Sequence, residues 1–311
     1  MAPIDTFDDP VFAAFEPRKW SSNLFNMERM KVRDLLVSLG QAVEPSLAAL
    51  RPFHRDVTPH MPCVFNGRRV SEMVLYFTRT AEEQRAILPL LDSRISLPDQ
   101  ISDAGEHHRH VCLGLRVHEF GVEAGLLMQS TAWLDVMNLL NRCRSPMEAS
   151  QVLGRIRDLP AGCEIRLTPR DTIPAASIAT VHFRKLEEAV LNETFLIRMG
   201  RYLDRTDPIL RAAGFASLLR DLFVALVPVF DFVAWRPASD YLRVATEAKR
   251  TAVAVESGVA DLAVGSRIQV TSGPFAGRDG VVTELDHKGV LRILIGKVTV
   301  RTDGRSVRLI A

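Results

Sequence analysis

The sequence changes character after Leu262, and this change constrains the fold more than any other feature of the chain. Residues 262–311 alternate short runs rich in Val and Ile with turns that contain glycine, and Asp303-Gly304 is a strong hairpin signal. The pattern predicts five short strands, at residues 268–270, 281–285, 290–295, 297–301 and 307–310. Short strands joined by tight turns within about fifty residues predict a small all-β barrel of the SH3-like type.

The residues before this region mix helical and strand patterns, and they predict a separate α+β domain over residues 1–236. A polar stretch follows Arg236-Pro237, and its composition predicts a helical linker over residues 237–261. In the first domain we expect helices at residues 26–50, 80–91, 131–142, 146–158, 185–192 and 212–230. Strands are expected at residues 64–77, 108–117, 122–128, 163–168 and 178–183.

Local signals refine three of these elements. Asn66-Gly67 predicts the turn of a hairpin within residues 64–77. Thr80 followed by Glu83 predicts a capping box at the start of the second helix. Gly40 or Pro45 is expected to mark a break in the first helix, because both residue types disfavour a helix interior.

Composition excludes several classes of protein. Hydrophobic residues make up 47% of the 311 residues and charged residues 24%, which is typical of a folded globular chain. The cysteines show no CxxC pair and are expected to be reduced thiols. Residues 1–5 lack the features of a secretory signal, and residues 222–235 are too short and too interrupted to span a bilayer, so we expect a cytoplasmic protein with no membrane partner.

A glycine-rich motif carries the most specific signal in the chain. Gly273, Gly277 and Gly280 lie where the backbone is expected to turn with positive φ or to approach another strand closely. The surrounding sequence, Ser-Gly-Pro-Phe-Ala-Gly over residues 272–277 and Gly-Val-Val-Thr-Glu-Leu-Asp over residues 280–286, resembles a KOW motif. Residues 265–310 as a whole resemble the C-terminal domain of NusG-family transcription factors, with Gly296-Lys297 at the place of that family's Gly-Arg step.

This resemblance implies a small barrel that docks on the transcription or translation machinery. The partners that it implies are RNA polymerase or a ribosomal protein, with RNA as a further candidate. Ile295 stands where the family has an aromatic residue, and the last hairpin is more basic than that of the family. The surface that contacts the partner is therefore expected to differ from the family's own.

The charge distribution supports partner binding by this region. Residues 262–311 hold eight basic residues against four acidic ones, whereas the whole chain is nearly neutral. A local excess of positive charge favours phosphate groups or an acidic protein surface, although charges also serve solubility. Phe275 is expected either as an exposed anchor or as a lid over the end of the barrel. The candidate partner-binding residues are Phe275, Arg278, Lys297, Arg301, Arg305 and Arg308.

The first domain lacks the opening pattern of the polymerase-binding domain of NusG-family proteins. It has a fainter similarity to the uncharacterised YktB-like bacterial family, carried by residues 7–15, by the run of Pro45, Leu47 and Leu50, and by residues 202–232, where Asp207-Pro208 precedes a helix. This second resemblance implies an α+β fold and supplies no catalytic motif.

One histidine cluster is the candidate for chemistry in the first domain. If its segment is extended, His108, His110 and Cys112 share one face, and imidazole and thiolate groups are natural zinc ligands. Their spacing matches no known metal motif, so we expect these side chains to be solvated or hydrogen-bonded and expect no bound cofactor. Phosphate-binding loops, nucleophile elbows and HExxH helices are also absent from the sequence.

Three hypotheses for function follow. The first is a non-enzymatic KOW-domain factor that associates with RNA polymerase, the ribosome or their RNA. The second is an enzyme with a histidine-containing site in the first domain, which the barrel recruits. In the third, the protein is a structural subunit of a larger assembly. The lack of a strong catalytic motif favours the first hypothesis.

Overall fold

Apolar residues at helical spacing and at alternate positions build separate cores in the earlier and the later part of the chain. A computed structural model describes residues 6–92, 106–129, 131–168, 171–191, 197–242, 262–271, 275–285, 290–296, 298–303 and 306–310. The chain divides into two compact units, Met1–Ser239 and Asp240–Ala311. Most of the expected linker, residues 243–261, lies outside the described residues.

The first unit combines helices with one antiparallel sheet. Its helices are α1 Asp9–Ala13, α2 Asn26–Ala48, α3 Ala81–Asp92, α4 Glu106–Arg109, α5 Trp133–Arg142, α6 Pro146–Arg157, α7 Thr180–Leu191 and α8 Phe215–Val233. Its strands are β1 His54–Val57, β2 Glu72–Thr78, β3 Cys112–His118, β4 Gly121–Met128, β5 Glu164–Thr168, β6 Asp171–Pro174 and β7 Ile197–Asp204. The strand order is β1-β2-β3-β4-β7-β5-β6. The expected α+β class is therefore confirmed for this unit.

The main core lies on one face of this sheet. Alternate residues of β3, namely Leu113, Leu115 and Val117, are fully buried in it. Helix α2 packs on β1 and β2, and the apolar helix α8 packs on β3 and β4. The opposite face carries charged side chains, including Arg116 and Glu123. In the described part of the chain, no helix has both the length and the hydropathy needed to cross a bilayer.

A buried ion pair joins distant parts of the first unit. Asp135 of α5 accepts hydrogen bonds from both terminal nitrogens of Arg79, which follows β2, and from the backbone amides of Val111 at 2.8 Å and Trp235 at 2.9 Å. Arg79 also donates to the carbonyl oxygen of Trp235 at 3.1 Å. Burial alone would raise the pKa of Asp135, but the charge of Arg79 and these hydrogen bonds outweigh it and hold the pKa below its usual range.

The second unit contains a smaller antiparallel sheet. Its strands are β8 Arg267–Val270, β9 Asp279–Leu285, β10 Val290–Ile295, β11 Val298–Asp303 and β12 Val307–Leu309, in the order β11-β10-β9-β8-β12. One face holds a core of its own, which includes Ile268, Val282 and Ile293. The strands agree with the predicted ones to within two residues. Within the described residues no pairing joins β11 to β12, so the sheet does not close into a barrel by hydrogen bonds.

Several local predictions for the first unit are confirmed. Thr80 and Glu83 form the capping box, with the Thr80 amide donating to Glu83 Oε2 at 3.0 Å and the Glu83 amide donating to Thr80 Oγ1 at 3.3 Å. The predicted helices at residues 131–142, 146–158 and 212–230 correspond to α5, α6 and α8, and the predicted strands at 122–128 and 163–168 correspond to β4 and β5.

The expected hairpin at Asn66-Gly67 is wrong. Residues 64–66 form a short 3₁₀ turn instead of a strand, because the Asn66 side chain accepts a hydrogen bond from the Cys63 amide at 2.8 Å. Gly67 then has a left-handed backbone with φ 57°. Strand β2 pairs instead with β1 and β3. The break expected at Gly40 or Pro45 is also absent, since α2 continues through both residues.

Gly40 has a packing role instead. A Cβ atom there would lie 2.9 Å from both Arg55 Cδ and Leu75 Cδ1, so the glycine lets α2 approach β1 and β2 closely. The strand expected at residues 178–183 is wrong as well. The His182 ring accepts a hydrogen bond from the Ala179 amide at 2.9 Å at the start of α7, and Phe183 and Leu186 are buried at helical spacing.

We expect Asp135→Asn to lower the free energy of unfolding by about 3–5 kcal/mol, because it leaves the buried Arg79 without its counter-charge. The matched control is Asp221→Asn on α8, whose side chain is 66% exposed and which should change stability little. Urea unfolding at neutral pH measures both. Equal small losses in the two variants would contradict the prediction.

Residues 262–311, expressed alone, are expected to fold, because the strands share an apolar core of their own on one face of the sheet. Dispersed amide resonances and β-type circular dichroism are the expected signatures. A random-coil spectrum would show that this region depends on the rest of the chain.

Candidate binding surface

The outward face of the second sheet carries the basic residues that the sequence singled out. Arg301 of β11 pairs with Arg292 of β10, and Arg292 pairs with Glu284 of β9. All three side chains are exposed. Arg292 Nη1 lies 2.9 Å from Glu284 Oε2. The pairing therefore sets two guanidinium groups next to each other across β10 and β11.

A second polar row lies at the other edge of the same sheet. Arg308 of β12 pairs with Gln269 of β8, which pairs with Asp279 of β9. Arg308 Nη2 donates to Gln269 Oε1 at 2.9 Å, and Gln269 Nε2 lies 3.4 Å from Asp279 Oδ1. Arg308 is thus oriented by a neighbour and remains exposed.

Exposed apolar residues lie on the same face. Val281 pairs with Arg267 on one side and with Leu294 on the other. Val281 is 39% exposed and Leu294 38%. The face therefore combines arginines with an apolar strip, which is the composition of many protein-binding surfaces. Sequence reasoning missed Arg292, Val281 and Leu294, although the alternation of residues in β9 and β10 marks them as outward-facing.

The glycine-rich turn holds Phe275 against the second core. Its ring is partly buried and packs on that core, so it occupies the place expected of a lid more than that of an exposed anchor. Gly277 has φ 82° and donates to the Val270 carbonyl at 2.7 Å, while Arg278 is exposed. A Cβ atom at Gly280 would lie 3.0 Å from the Leu294 carbonyl oxygen. Gly273, Lys297 and Arg305 lie outside the described residues.

The histidine cluster of the first unit does not share a face. His108 lies in the short helix α4, His110 follows it, and Cys112 begins β3. His110 is buried with Nδ1 3.4 Å from Arg79 Nη1. The segment expected to be extended is therefore helical at residues 106–109. Among the described residues, no group of three His, Cys, Asp or Glu side chains is placed to hold a metal ion.

His110 and Cys112 are buried, so neither side chain is accessible to a metal ion from solvent. Burial, helped by the charge of Arg79, lowers the pKa of His110 to about 4. Burial also raises the pKa of the Cys112 thiol to about 12, so the thiolate that binds metals or attacks electrophiles is not formed at neutral pH. His110 and Cys112 act as parts of the core.

No protein-family model matches the chain, and no curated protein matches it. The resemblances to the NusG family and to the YktB-like family therefore stay predictions that depend on the quoted residues alone.

The protein is expected to lose stability as the pH falls from about 6.5 to about 4, because His110 takes up a proton in the unfolded chain before it does in the folded one. The full loss from this group is about 3 kcal/mol, from the difference between the two pKa values. Urea unfolding at several pH values should show this slope in the wild type and a shallower slope in His110→Gln. An identical slope in the variant would contradict the assignment to His110.

Proposed function

We propose that residues 262–311 form an SH3-like barrel of the KOW type, and that the protein is a non-enzymatic factor of the cytoplasm which this barrel brings to RNA polymerase, the ribosome or their RNA. The observation that carries the proposal is the outward face of the second sheet, where Arg292, Arg301 and Arg308 lie on the same face as the apolar pair of Val281 and Leu294.

The arrangement of the strands supports a barrel. Inward residues of three consecutive strands, Ile268, Val282 and Ile293, meet in one core, and each strand has three to seven residues. A bulge between Arg292 and Ile293 adds local twist, which is how small sheets curl. Gly277 and Gly280 supply the turn and the close approach that the motif requires.

The exposed chemistry supports recruitment by this unit. Guanidinium groups bind phosphates and carboxylates with fixed geometry, and neighbouring apolar side chains add contact area that water leaves on binding. The positive charge also speeds encounter with the acidic surfaces of polymerase and ribosome. Exposed side chains are freely substituted without loss of fold, so their contribution can be measured directly.

The alternative of an enzyme with a site at His108, His110 and Cys112 gains no support. His110 and Cys112 are buried with pKa values of about 4 and about 12, which leaves neither a proton carrier nor a nucleophile at neutral pH. A buried histidine next to an arginine is better explained as a part of the ion-pair network around Asp135.

The test is co-purification of the tagged full-length protein from its own cells. Replacing Arg301, Arg305 and Arg308 by Ser should reduce the recovered polymerase or ribosomal proteins at least about fivefold, more so at moderate salt, because part of the attraction is screened. The control replaces three exposed arginines of the first unit, Arg18, Arg85 and Arg184, by Ser, which changes the net charge equally. Nuclease treatment separates RNA-mediated from protein-mediated association.

Equal recovery with the barrel variant and with the control variant would contradict recruitment by this surface. If both retain the partner and removal of residues 1–236 abolishes the association, the first domain is the recruiter and the assigned roles are reversed.

A further inference from the structure

A chain of alternating charges runs across the outer face of the first sheet. Arg116 of β3 donates to Glu72 of β2 and, at 2.8 Å, to Glu123 of β4. Glu123 also accepts from Arg198 of β7 through its other oxygen, Oε1. These side chains are mostly buried, so each charge in the chain is compensated by a direct hydrogen bond.

The chain ends in an arginine that is poorly compensated. Arg166 of β5 lies directly across from Arg198 of β7. Its ion pair within the described residues is with Glu123 Oε1 at 4.0 Å, beyond hydrogen-bond distance, and that oxygen already accepts from Arg198. Two guanidinium groups therefore share one carboxylate oxygen, and like charges at directly paired positions repel each other.

Two paired glycines leave the sheet surface next to this ion-pair chain without side chains. Gly125 of β4 pairs with Gly200 of β7 between the pair of Glu123 with Tyr202 and the pair of Leu127 with Arg198. A Cβ atom at Gly125 would lie 2.2 Å from the carbonyl oxygen of Met199, and a Cβ atom at Gly200 would lie 2.0 Å from the carbonyl oxygen of Ala124. The close approach of the two strands therefore excludes any larger residue at either position. Without side chains at these positions, Arg198 reaches across to Glu123.

These residues line a shallow depression that is open to solvent. Arg166, Arg198 and Thr172 lie in one cross-strand row on its wall. Glu164 precedes Arg166 by two residues on the same face of β5, is exposed, and lines the same depression. Leu127 and Tyr202 supply its apolar walls.

The charges in and around the depression select the class of ligand. Three arginines face three glutamates, namely Glu72, Glu123 and Glu164, yet Arg166 and Glu164 form no ion pair with each other in the described structure. A simple anion would satisfy Arg166 and be repelled by Glu164. A ligand that carries an oxyanion beside an ammonium group satisfies both side chains at once.

We propose that this depression binds a small zwitterion, with its carboxylate or phosphate on Arg166 and Arg198, its ammonium group on Glu164 and its apolar part against Leu127 and Tyr202. The oxyanion supplies the hydrogen-bond acceptor that Glu123 does not offer to Arg166. The hydroxyl of Thr172 adds a hydrogen-bond donor at the rim of the depression. This function belongs to the first unit and is independent of recruitment by the second.

The test is titration of the full-length protein, followed by amide chemical shifts and by calorimetry. The probes are phenylalanine as a carboxylate zwitterion and phosphoethanolamine as a phosphate zwitterion, with acetate and ethylamine carrying one function each. We expect saturable binding of at least one zwitterion, and the tighter of the two identifies the oxyanion. Acetate and ethylamine at the same concentration and ionic strength should bind at least about tenfold more weakly.

Two variants check the assignment of the side chains. Arg166→Gln and Glu164→Gln should each weaken binding at least about tenfold, since each removes one charge-assisted hydrogen bond. Both side chains are at least partly exposed, and neither takes part in the hydrogen bonds that join Glu72, Arg116, Glu123 and Arg198. Amide spectra that are unchanged away from the site should therefore show an intact fold. The matched control is Arg184→Gln, on the exposed side of α7, with wild-type affinity expected.

Three results would overturn the proposal. One is a lack of saturable binding by either zwitterion. Another is binding of acetate or ethylamine as tight as that of the zwitterions. The third is wild-type affinity in the folded Arg166→Gln or Glu164→Gln variant.

Discussion

The buried pair of Arg79 and Asp135 is the interaction on which the first unit depends. Asp135 fixes the start of β3 through the Val111 amide and the end of α8 through the Trp235 amide, while it neutralises Arg79 at the end of β2. Burying two charges costs more than one ion pair returns, unless further hydrogen bonds satisfy them. The backbone amides and the Trp235 carbonyl provide those bonds, so the network also determines which segments meet. His110 stays neutral because burial, helped by the charge of Arg79, lowers its pKa to about 4.

Such a network cannot be predicted from local sequence patterns, because these patterns relate only residues that are close together in the chain. Arg79 and Asp135 are 56 positions apart, and the carbonyl that Arg79 contacts is 156 positions away. The features that were predictable are local ones. The capping box of Thr80 and Glu83 joins residues three positions apart, and the run of apolar residues in α8 predicts that helix directly. The second sheet was predictable strand by strand for the same reason, since three of its four described pairings join strands that follow one another in the chain.

The incorrect predictions have a common physical origin. Apolar residues at positions 178, 181 and 183 fit a strand over six residues and fit a helix once Leu186 and Ala189 are included. A single polar contact decides between the two, the hydrogen bond from the Ala179 amide to the His182 ring. At Asn66-Gly67 the Asn66 side chain closes a turn on Cys63, and the hairpin signal that depends on backbone conformation alone is overridden.

The two candidate surfaces differ in how they arise from the sequence. The basic residues of the second sheet face outward because they alternate with Ile268, Leu291 and Ile293, and alternation is visible in the sequence. The charged chain of the first sheet exists because β7, which no sequence pattern indicated, lies between β4 and β5 and brings Arg198 next to Glu123 and Arg166. Its charges compensate one another, so it exerts little attraction at a distance, and the proposed zwitterion would be selected only at contact. The second surface has an excess of positive charge, which would speed the encounter with the proposed partner before contact is made. The two proposals therefore assign long-range recruitment and short-range selection to different units of one chain.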